Sequence, residues 1–177
     1  MSQTSCALPR NYALKLGLLA ALVALACACA VDNPPQDWAP VQRASFECAV
    51  QPIFARECSM PDCHGNSARR LQILAPGRMR LAAELTKALA AQPAEEREAG
   101  HHPLLTPAEI DFNFAQARSM VIPGQAPEDS ALLNRPLAVA AGGMYHVEAG
   151  DVFASALDLD YVTLQVWIEG AGKEMCK

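Results

Sequence analysis

The chain has 177 residues, of which 51% are hydrophobic and 19% charged, with 14 basic and 19 acidic side chains and a formal net charge of −5. This length suits one domain with a true hydrophobic core and is short for two. The acidic balance argues against nucleic acid as a partner. No Ser/His/Asp ordering, phosphate loop or carboxylate pair stands out, so we do not expect an enzyme.

The N-terminal stretch has the pattern of an export signal. Arg10 and Lys15 provide its positive start, and the apolar run LGLLAALVALACACA follows, too short for a comfortable membrane span. The residues before Cys27 are similar to the lipobox of bacterial lipoproteins, in which the cysteine is acylated. Cleavage after Ala30 is the alternative. We therefore predict a lipoprotein-type signal over residues 1–27.

The organisation after the signal follows from composition. Residues 28–43 include VDNPPQDWAPV, rich in proline and polar groups, and are predicted to be a tether. Residues 44–177 then form the domain. Removal of Arg10 and Lys15 leaves 12 basic against 19 acidic residues, a net charge of −7. Such a protein would lie in the bacterial cell envelope, periplasmic or as an outer-membrane lipoprotein, bound to the membrane through its lipid anchor.

The first predicted element of the domain is a helix over about residues 44–57, ASFECAVQPIFARE. Apolar residues recur in it at near-helical spacing, although Pro52 should kink or shorten the helix. The helix leads directly to Cys58. Its apolar positions are Phe46, Val50, Ile53 and Phe54.

Two longer segments follow. Strong helix formers predict a helix over residues 78–92, and the charged PAEEREAGHH after it is expected to be an exposed turn. Thr106 and Glu109 have the spacing of a capping box, which begins a helix that runs to about Met120.

The C-terminal part contains two more helix signals. Asp129 or Ser130 can cap a short helix through Leu133. Asp158 precedes YVTLQVWIEGAG, a segment with a broad apolar face and a glycine stop at Gly170. Its aromatic residues, which we interpret as core residues, are Tyr161 and Trp167. Four or five short helices with long loops and little strand signal predict an all-α domain.

The stretch ECSMPDCHG, residues 57–65, carries the clearest chemistry. Two thiols followed by a histidine can anchor the two vinyl groups of a porphyrin and ligate its iron, because all three groups then lie in one loop. The usual spacing has two residues between the cysteines, whereas four separate Cys58 from Cys63, which predicts a bulge stiffened by Pro61. His64 directly follows the second cysteine, and neither a disulfide loop nor a redox dithiol needs it.

Three other interpretations of this stretch stay open from the residues alone. Cys58 and Cys63 can form a disulfide. Together with His64 and a fourth ligand such as His146 they can hold zinc, which accepts four-residue spacings. A catalytic dithiol is the third interpretation, although no strand–helix pattern suggests a thioredoxin scaffold.

The cysteine count bears on these alternatives. Export places the mature cysteines in an oxidising compartment, where idle thiols pair. Cys6, Cys27 and Cys29 belong to the signal region, and four cysteines remain. If haem uses two of them, Cys48 and Cys176 are left as one disulfide that would join the start of the domain to its end.

The segments SFECAVQPIFARECSMPDCHG, SALLNRPLAVAAGGMYHVEAGDVF and DYVTLQVWIEGAG are similar, in this order, to c-type cytochrome domains of planctomycete and myxobacterial envelope proteins. The similarity covers residues 44–172. It implies a cytochrome c-like domain with one covalent haem c. Cys58 and Cys63 would be its thioether anchors, and His64 its proximal iron ligand.

The resemblance places the sixth iron ligand in the glycine-rich loop before the last helix. His146 is the preferred candidate and Met144 the second, because both lie in GGMYHVEAG. Other candidates, which we interpret instead as a core residue and two solvated residues, are Met120, His101 and His102.

The sequence is therefore compatible with two functions. The first is an exported, lipid-anchored monohaem cytochrome that transfers electrons to an unidentified redox partner protein. The second is a non-haem envelope lipoprotein, stabilised by the disulfides Cys58–Cys63 and Cys48–Cys176, with a binding or scaffolding role.

Overall fold

The structure is a computed structural model that describes residues 41–146 and 150–176, all within one compact unit of the chain. The predicted export signal, the acylation site Cys27 and the tether as far as residue 40 lie outside the described residues. None of the helices in the described ranges is both long enough and apolar enough to cross a bilayer.

The first helix, α1, consists of four consecutive segments. Two are α-helical, Arg43–Ser45 and Gln51–Ile53, and two are π-helical, Phe46–Val50 and Phe54–Cys58. Pro52 was expected to kink or shorten the helix, and it does not shorten it, because the helix continues through it to Cys58. The wider π segment before Pro52, Phe46–Val50, relieves the clash of the proline ring with the preceding turn and tolerates its missing N–H group.

Helix α2, Ala82–Ala91, begins four residues later than predicted. The backbone N–H groups before α2 form hydrogen bonds that are not those of a helix. The Ala75 N–H donates to the Met79 carbonyl at 3.2 Å, and the Leu81 N–H donates to Glu109 Oε1 at 3.1 Å. The predicted exposed turn after α2 is partly wrong, because it forms a short, exposed helix, α3, over Ala94–Glu98. Its first-turn glutamates favour a helix start.

Helix α4, Pro107–Arg118, begins with the predicted capping box. Thr106 Oγ1 accepts from the Glu109 N–H at 3.4 Å, and Glu109 Oε2 accepts from the Thr106 N–H at 3.0 Å. Glu109 is fully buried, and Arg80 donates to both of its carboxylate oxygens at 2.8 and 2.6 Å. Burial opposes the ionisation of Glu109, but the bonds from Arg80 and the two backbone N–H groups outweigh it and lower its pKa.

Two further helices match the predicted starts. Helix α5, Ala131–Asn134, has Ser130 as its cap, with Ser130 Oγ accepting from the Leu132 N–H at 3.2 Å. Helix α6, Leu159–Ile168, is capped by Asp158 and followed by Gly170 with φ 96°. Single 3-10 turns cover Pro127–Asp129, Val139–Ala141 and Lys173–Met175.

The core joins α1, α4 and α6 through aromatic side chains. The ring centroid of Phe46 lies 5.6 Å from those of both Phe114 and Trp167. Trp167 is fully buried and donates Nε1–H to the Gln42 carbonyl at 3.1 Å. Tyr161 is also buried, so both aromatic residues of α6 are core residues as predicted.

The described part of the chain is all-α. Its β pairing is one isolated bridge between Leu137 and Phe153. Cys48 on α1 is joined by a disulfide to Cys176, with Cα atoms 5.4 Å apart. This is the pair suggested by the cysteine count, and it fixes the end of the described chain to α1.

Candidate functional site

The two thiols of CSMPDCHG lie where α1 gives way to a hydrogen-bonded loop. Cys58 is the last residue of α1, and its carbonyl accepts from the His64 N–H at 3.0 Å. The Met60 carbonyl accepts from the N–H groups of both Cys63, at 2.9 Å, and Gly65, at 3.0 Å. The four intervening residues thus fold into a closed turn, and the exposed part of the bulge is at Met60, Pro61 and Asp62.

Position 65, directly after the histidine, has room only for glycine. A Cβ atom on Gly65 would overlap the carbonyl group of Ser59. Ser59 is itself held in place, because its Oγ donates to the Ala55 carbonyl at 2.8 Å and accepts from Arg78 at 2.7 Å. The Cys-His-Gly order therefore has a steric reason in this loop.

Cys58 and Cys63 are separate, half-buried thiols, so the disulfide between them is not formed in this structure. Burial raises the pKa of Cys58 to about 12, and the nearby carboxylate of Glu57 adds to the shift. A thiol in this environment stays protonated at neutral pH and is a poor nucleophile. The site favours a neutral sulfur at position 58.

The His64 imidazole is oriented by the backbone that follows it. Nδ1 lies 3.1 Å from the Leu71 carbonyl, and the Ile73 N–H donates to the His64 carbonyl at 2.8 Å. Since a carbonyl only accepts, we assign the proton to Nδ1, which leaves the Nε2 lone pair available to a metal ion. Burial lowers the pKa of His64, and this favours the neutral imidazole that ligation needs.

The glycine-rich loop brings His146 to the same place. The Met144 N–H donates to the Asn134 carbonyl at 2.6 Å, which ties the loop to the end of α5. A Cβ on Gly143 would overlap the Leu137 carbonyl, so only glycine allows this approach. His146 Nδ1 lies 3.3 Å from the Gly150 carbonyl, which assigns the proton to Nδ1 and leaves Nε2 free for ligation, as in His64.

The rings of His64 and His146 have centroids 6.0 Å apart and planes inclined by 23°. Two imidazoles on opposite sides of one metal ion, each nitrogen about 2 Å from it, have centroids about 6 Å apart. The rings are stacked in this structure, and their separation and the Nδ1 contact of each are compatible with both imidazoles binding one metal ion. Cys58 and Cys63, in the same loop as His64, are the thiols that would bond the porphyrin edge, so the residues present fit a covalently held haem.

The other candidate ligands lie elsewhere. Met144 is 49% exposed. Met120 packs against the core, as expected of a core residue. His101 and His102 are exposed, which agrees with their interpretation as solvated residues.

The zinc alternative requires four converging donors. In the part of the chain that the structure describes, no three or more His, Cys, Asp or Glu side chains are placed to hold a metal ion. The convergence of Cys58, Cys63, His64 and His146 on one small ion is therefore not found there.

Three residues that support the site were not identified from the sequence. Arg78 closes the end of α1, because its Nη1 donates to both the Ala55 carbonyl and Ser59 Oγ at 2.7 Å. Leu71 contributes only a backbone carbonyl, which no side-chain pattern reveals. Asn113 had a detectable signal, since α4 places a polar side chain three residues after Ile110 on the face that packs inward.

The chain matches no family model, no curated protein and no solved structure.

Proposed function

We propose that the protein is an exported, lipid-anchored, monohaem c-type cytochrome that transfers single electrons. Cys58 and Cys63 are its thioether anchors, His64 is the proximal ligand and His146 the sixth ligand. The all-α domain around them is, in this proposal, a cytochrome c-like fold with a widened attachment loop.

One observation carries the proposal: two imidazoles from distant parts of the chain approach to 6.0 Å, and each has Nδ1 bound to a backbone carbonyl. The cost of bringing two polar rings together out of water is recovered when both ligate one metal ion. One of the two rings follows directly after a pair of thiols, and that order is the feature of haem attachment that a disulfide or a scaffold does not need.

The position of Cys58 suits thioether attachment. Cys58 is the last residue of α1, packs against the core and forms no disulfide. A thioether sulfur is neutral, so its burial there carries no cost of ionisation.

The haem, when bound, supplies the change between ferric and ferrous iron. The chain would supply the rest: His64 and His146 would hold the iron through Nε2, and the Leu71 carbonyl fixes the His64 ring. Since both iron ligands from the protein are side chains in this proposal, it includes no substrate chemistry, and the protein is not an enzyme in it.

The proposed partners follow from location and charge. An export signal of lipoprotein type would place the domain in the cell envelope, tethered to a membrane through Cys27. A mature charge of −7, from 12 basic and 19 acidic residues, favours a redox partner with a basic docking surface and disfavours nucleic acid.

The experiment that tests the proposal is a denaturing gel stained for haem peroxidase activity. The full chain is produced in a host with haem-attachment machinery, beside a Cys58→Ser/Cys63→Ser variant and a Cys48→Ser/Cys176→Ser variant as matched control. We expect stain at the position of the wild type and of the control, and none at the Cys58/Cys63 variant. An unstained wild type would overturn the proposal, and metal analysis that finds zinc without iron would select the zinc site.

A further inference from the structure

Residues 71–74, Leu-Gln-Ile-Leu, form a short strap that passes between the attachment loop and α4. At the loop end, the Leu71 carbonyl accepts from His64 Nδ1 at 3.1 Å, and the Ile73 N–H donates to the His64 carbonyl at 2.8 Å. The strap thus bonds both the imidazole ring and the backbone carbonyl of His64, the proposed proximal ligand.

Asn113 on α4 fixes one end of this strap. Its Oδ1 accepts from the Leu74 N–H and its Nδ2 donates to the Leu74 carbonyl, both at 2.8 Å. Nδ2 also donates to Gln51 Oε1 at 2.8 Å. Asn113 is fully buried, so breaking this network would leave unpaired polar groups in the core.

Gln116, one helical turn further along α4, holds the strap nearer to the ligand. Its Oε1 accepts from the Gln72 N–H at 3.1 Å. The peptide unit that carries this N–H is the same one that carries the Leu71 carbonyl. A bond to one end of a planar peptide unit fixes the direction of the other end, because the unit moves as a rigid plane.

We infer that Asn113 and Gln116 are positioning residues for His64: by holding residues 71–74, they keep the Leu71 carbonyl aimed at Nδ1. The expected effect on the reduction potential of the haem rests on the proposed function. The expected effect on the His64 tautomer does not require haem.

The direction of the effect follows from ligand basicity. A carbonyl that accepts from Nδ1–H increases the electron donation of the imidazole to the metal and favours ferric iron. Loosening the peptide unit between residues 71 and 72 weakens that bond. The reduction potential should then rise, while the iron keeps both of its ligands.

The experiment uses Gln116, which is only half-buried, because Asn113→Ala would leave buried groups unpaired and can prevent folding. Gln116→Met removes the acceptor at similar side-chain volume, and Gln116→Glu restores an oxygen for the Gln72 N–H. Gln165→Met is the matched control, since Gln165 on α6 bonds Glu169, the residue directly after that helix, at 3.3 Å.

In haem-loaded full-length protein we expect Gln116→Met to shift the ferric–ferrous equilibrium about tenfold, a rise of about 59 mV, with Gln165→Met close to wild type and Gln116→Glu at or below wild type, because its added negative charge also favours ferric iron. An unchanged potential in Gln116→Met, or an equal shift in Gln165→Met, would overturn the inference.

If the wild type carries no haem, the proposed function fails and the inference is decided by 15N shifts of His64. The inference then requires the Nδ1–H tautomer in the wild type and in Gln116→Glu, and a mixture of tautomers in Gln116→Met. The same single tautomer in all three proteins would refute it.

Discussion

The imidazole rings of His64 and His146 lie 6.0 Å apart, centroid to centroid, and each is oriented by a backbone carbonyl that follows it in the chain. His64 is held by the loop after α1, and His146 by the glycine-rich loop before α6. The proposed function, in which both imidazoles bind one iron ion, depends on this approach.

The first prediction concerns the sixth ligand. His146→Ala should convert the ferric protein from low spin to high spin, because it removes one of the two imidazoles. Met144→Ala should leave the spectrum unchanged, since Met144 is 49% exposed. Absorption and electron paramagnetic resonance spectra distinguish the two. A low-spin His146→Ala protein together with a high-spin Met144→Ala protein would assign the ligand to the thioether.

The second prediction concerns Gly65. Gly65→Ala places a methyl group against the Ser59 carbonyl, so we expect a loss of about 1–3 kcal/mol in the free energy of unfolding and a lower yield of haem-loaded protein. Gly100→Ala is the matched control, because Gly100 has φ 75° and open space around it, and it should lose only about 1–2 kcal/mol with normal haem yield. Urea unfolding and haem per protein measure both effects. Equal haem yields would show that the tight turn is not needed for attachment.

The third prediction concerns the disulfide Cys48–Cys176. It closes a long loop, with a sequence separation of 128, and its removal in Cys48→Ser/Cys176→Ser should lower the free energy of unfolding by about 2–5 kcal/mol. The attachment cysteines are not altered, so the haem content should stay at the wild-type level. Urea midpoints with and without reductant give the energy. A reductant-sensitive midpoint in the variant would mean that another pair of cysteines supplies the constraint.

The fourth prediction concerns the buried pair of Arg80, 3% exposed, and Glu109, 0% exposed. The pKa of Glu109 is lowered in the folded chain, so its contribution to stability is fully present above its unfolded pKa of about 4.3 and is lost as the pH falls through the lower folded pKa. Glu109→Gln should flatten the acid side of the stability curve. At neutral pH it should cost about 3–5 kcal/mol, because the Arg80 charge is left buried and unpaired.

Urea unfolding at several pH values measures this dependence. Glu95→Gln is a suitable control, because Glu95 is exposed on the short helix α3. If the free energy of unfolding falls equally steeply at acid pH in the wild type and in Glu109→Gln, the pH dependence belongs to other carboxylates.

The sequence was sufficient to predict elements whose signals are local. The capping box of Thr106 and Glu109, a cap for α5 at Asp129 or Ser130, the last helix after Asp158 and the path of α1 into Cys58 were all predicted, since each depends on residues within a few positions. The start of α2 was wrong because the Leu81 N–H is taken by Glu109, a contact between segments that no window of sequence contains.

The candidate site divides in the same way. Cys58, Cys63 and His64 are adjacent in sequence and could be identified from spacing. The preference for His146 over Met144 rested on a resemblance, and the spatial approach to His64 adds a physical reason. The strap of residues 71–74 could not be found from sequence, because its effect on His64 passes through backbone atoms held by Asn113 and Gln116.

The most direct test of the account is the intact mass of the denatured full-length chain, purified from cells able to attach haem. The account predicts the mass of the processed polypeptide plus one haem, with the haem lost from the mass in Cys58→Ser/Cys63→Ser. A colourless wild-type protein with the mass of the polypeptide alone would contradict it.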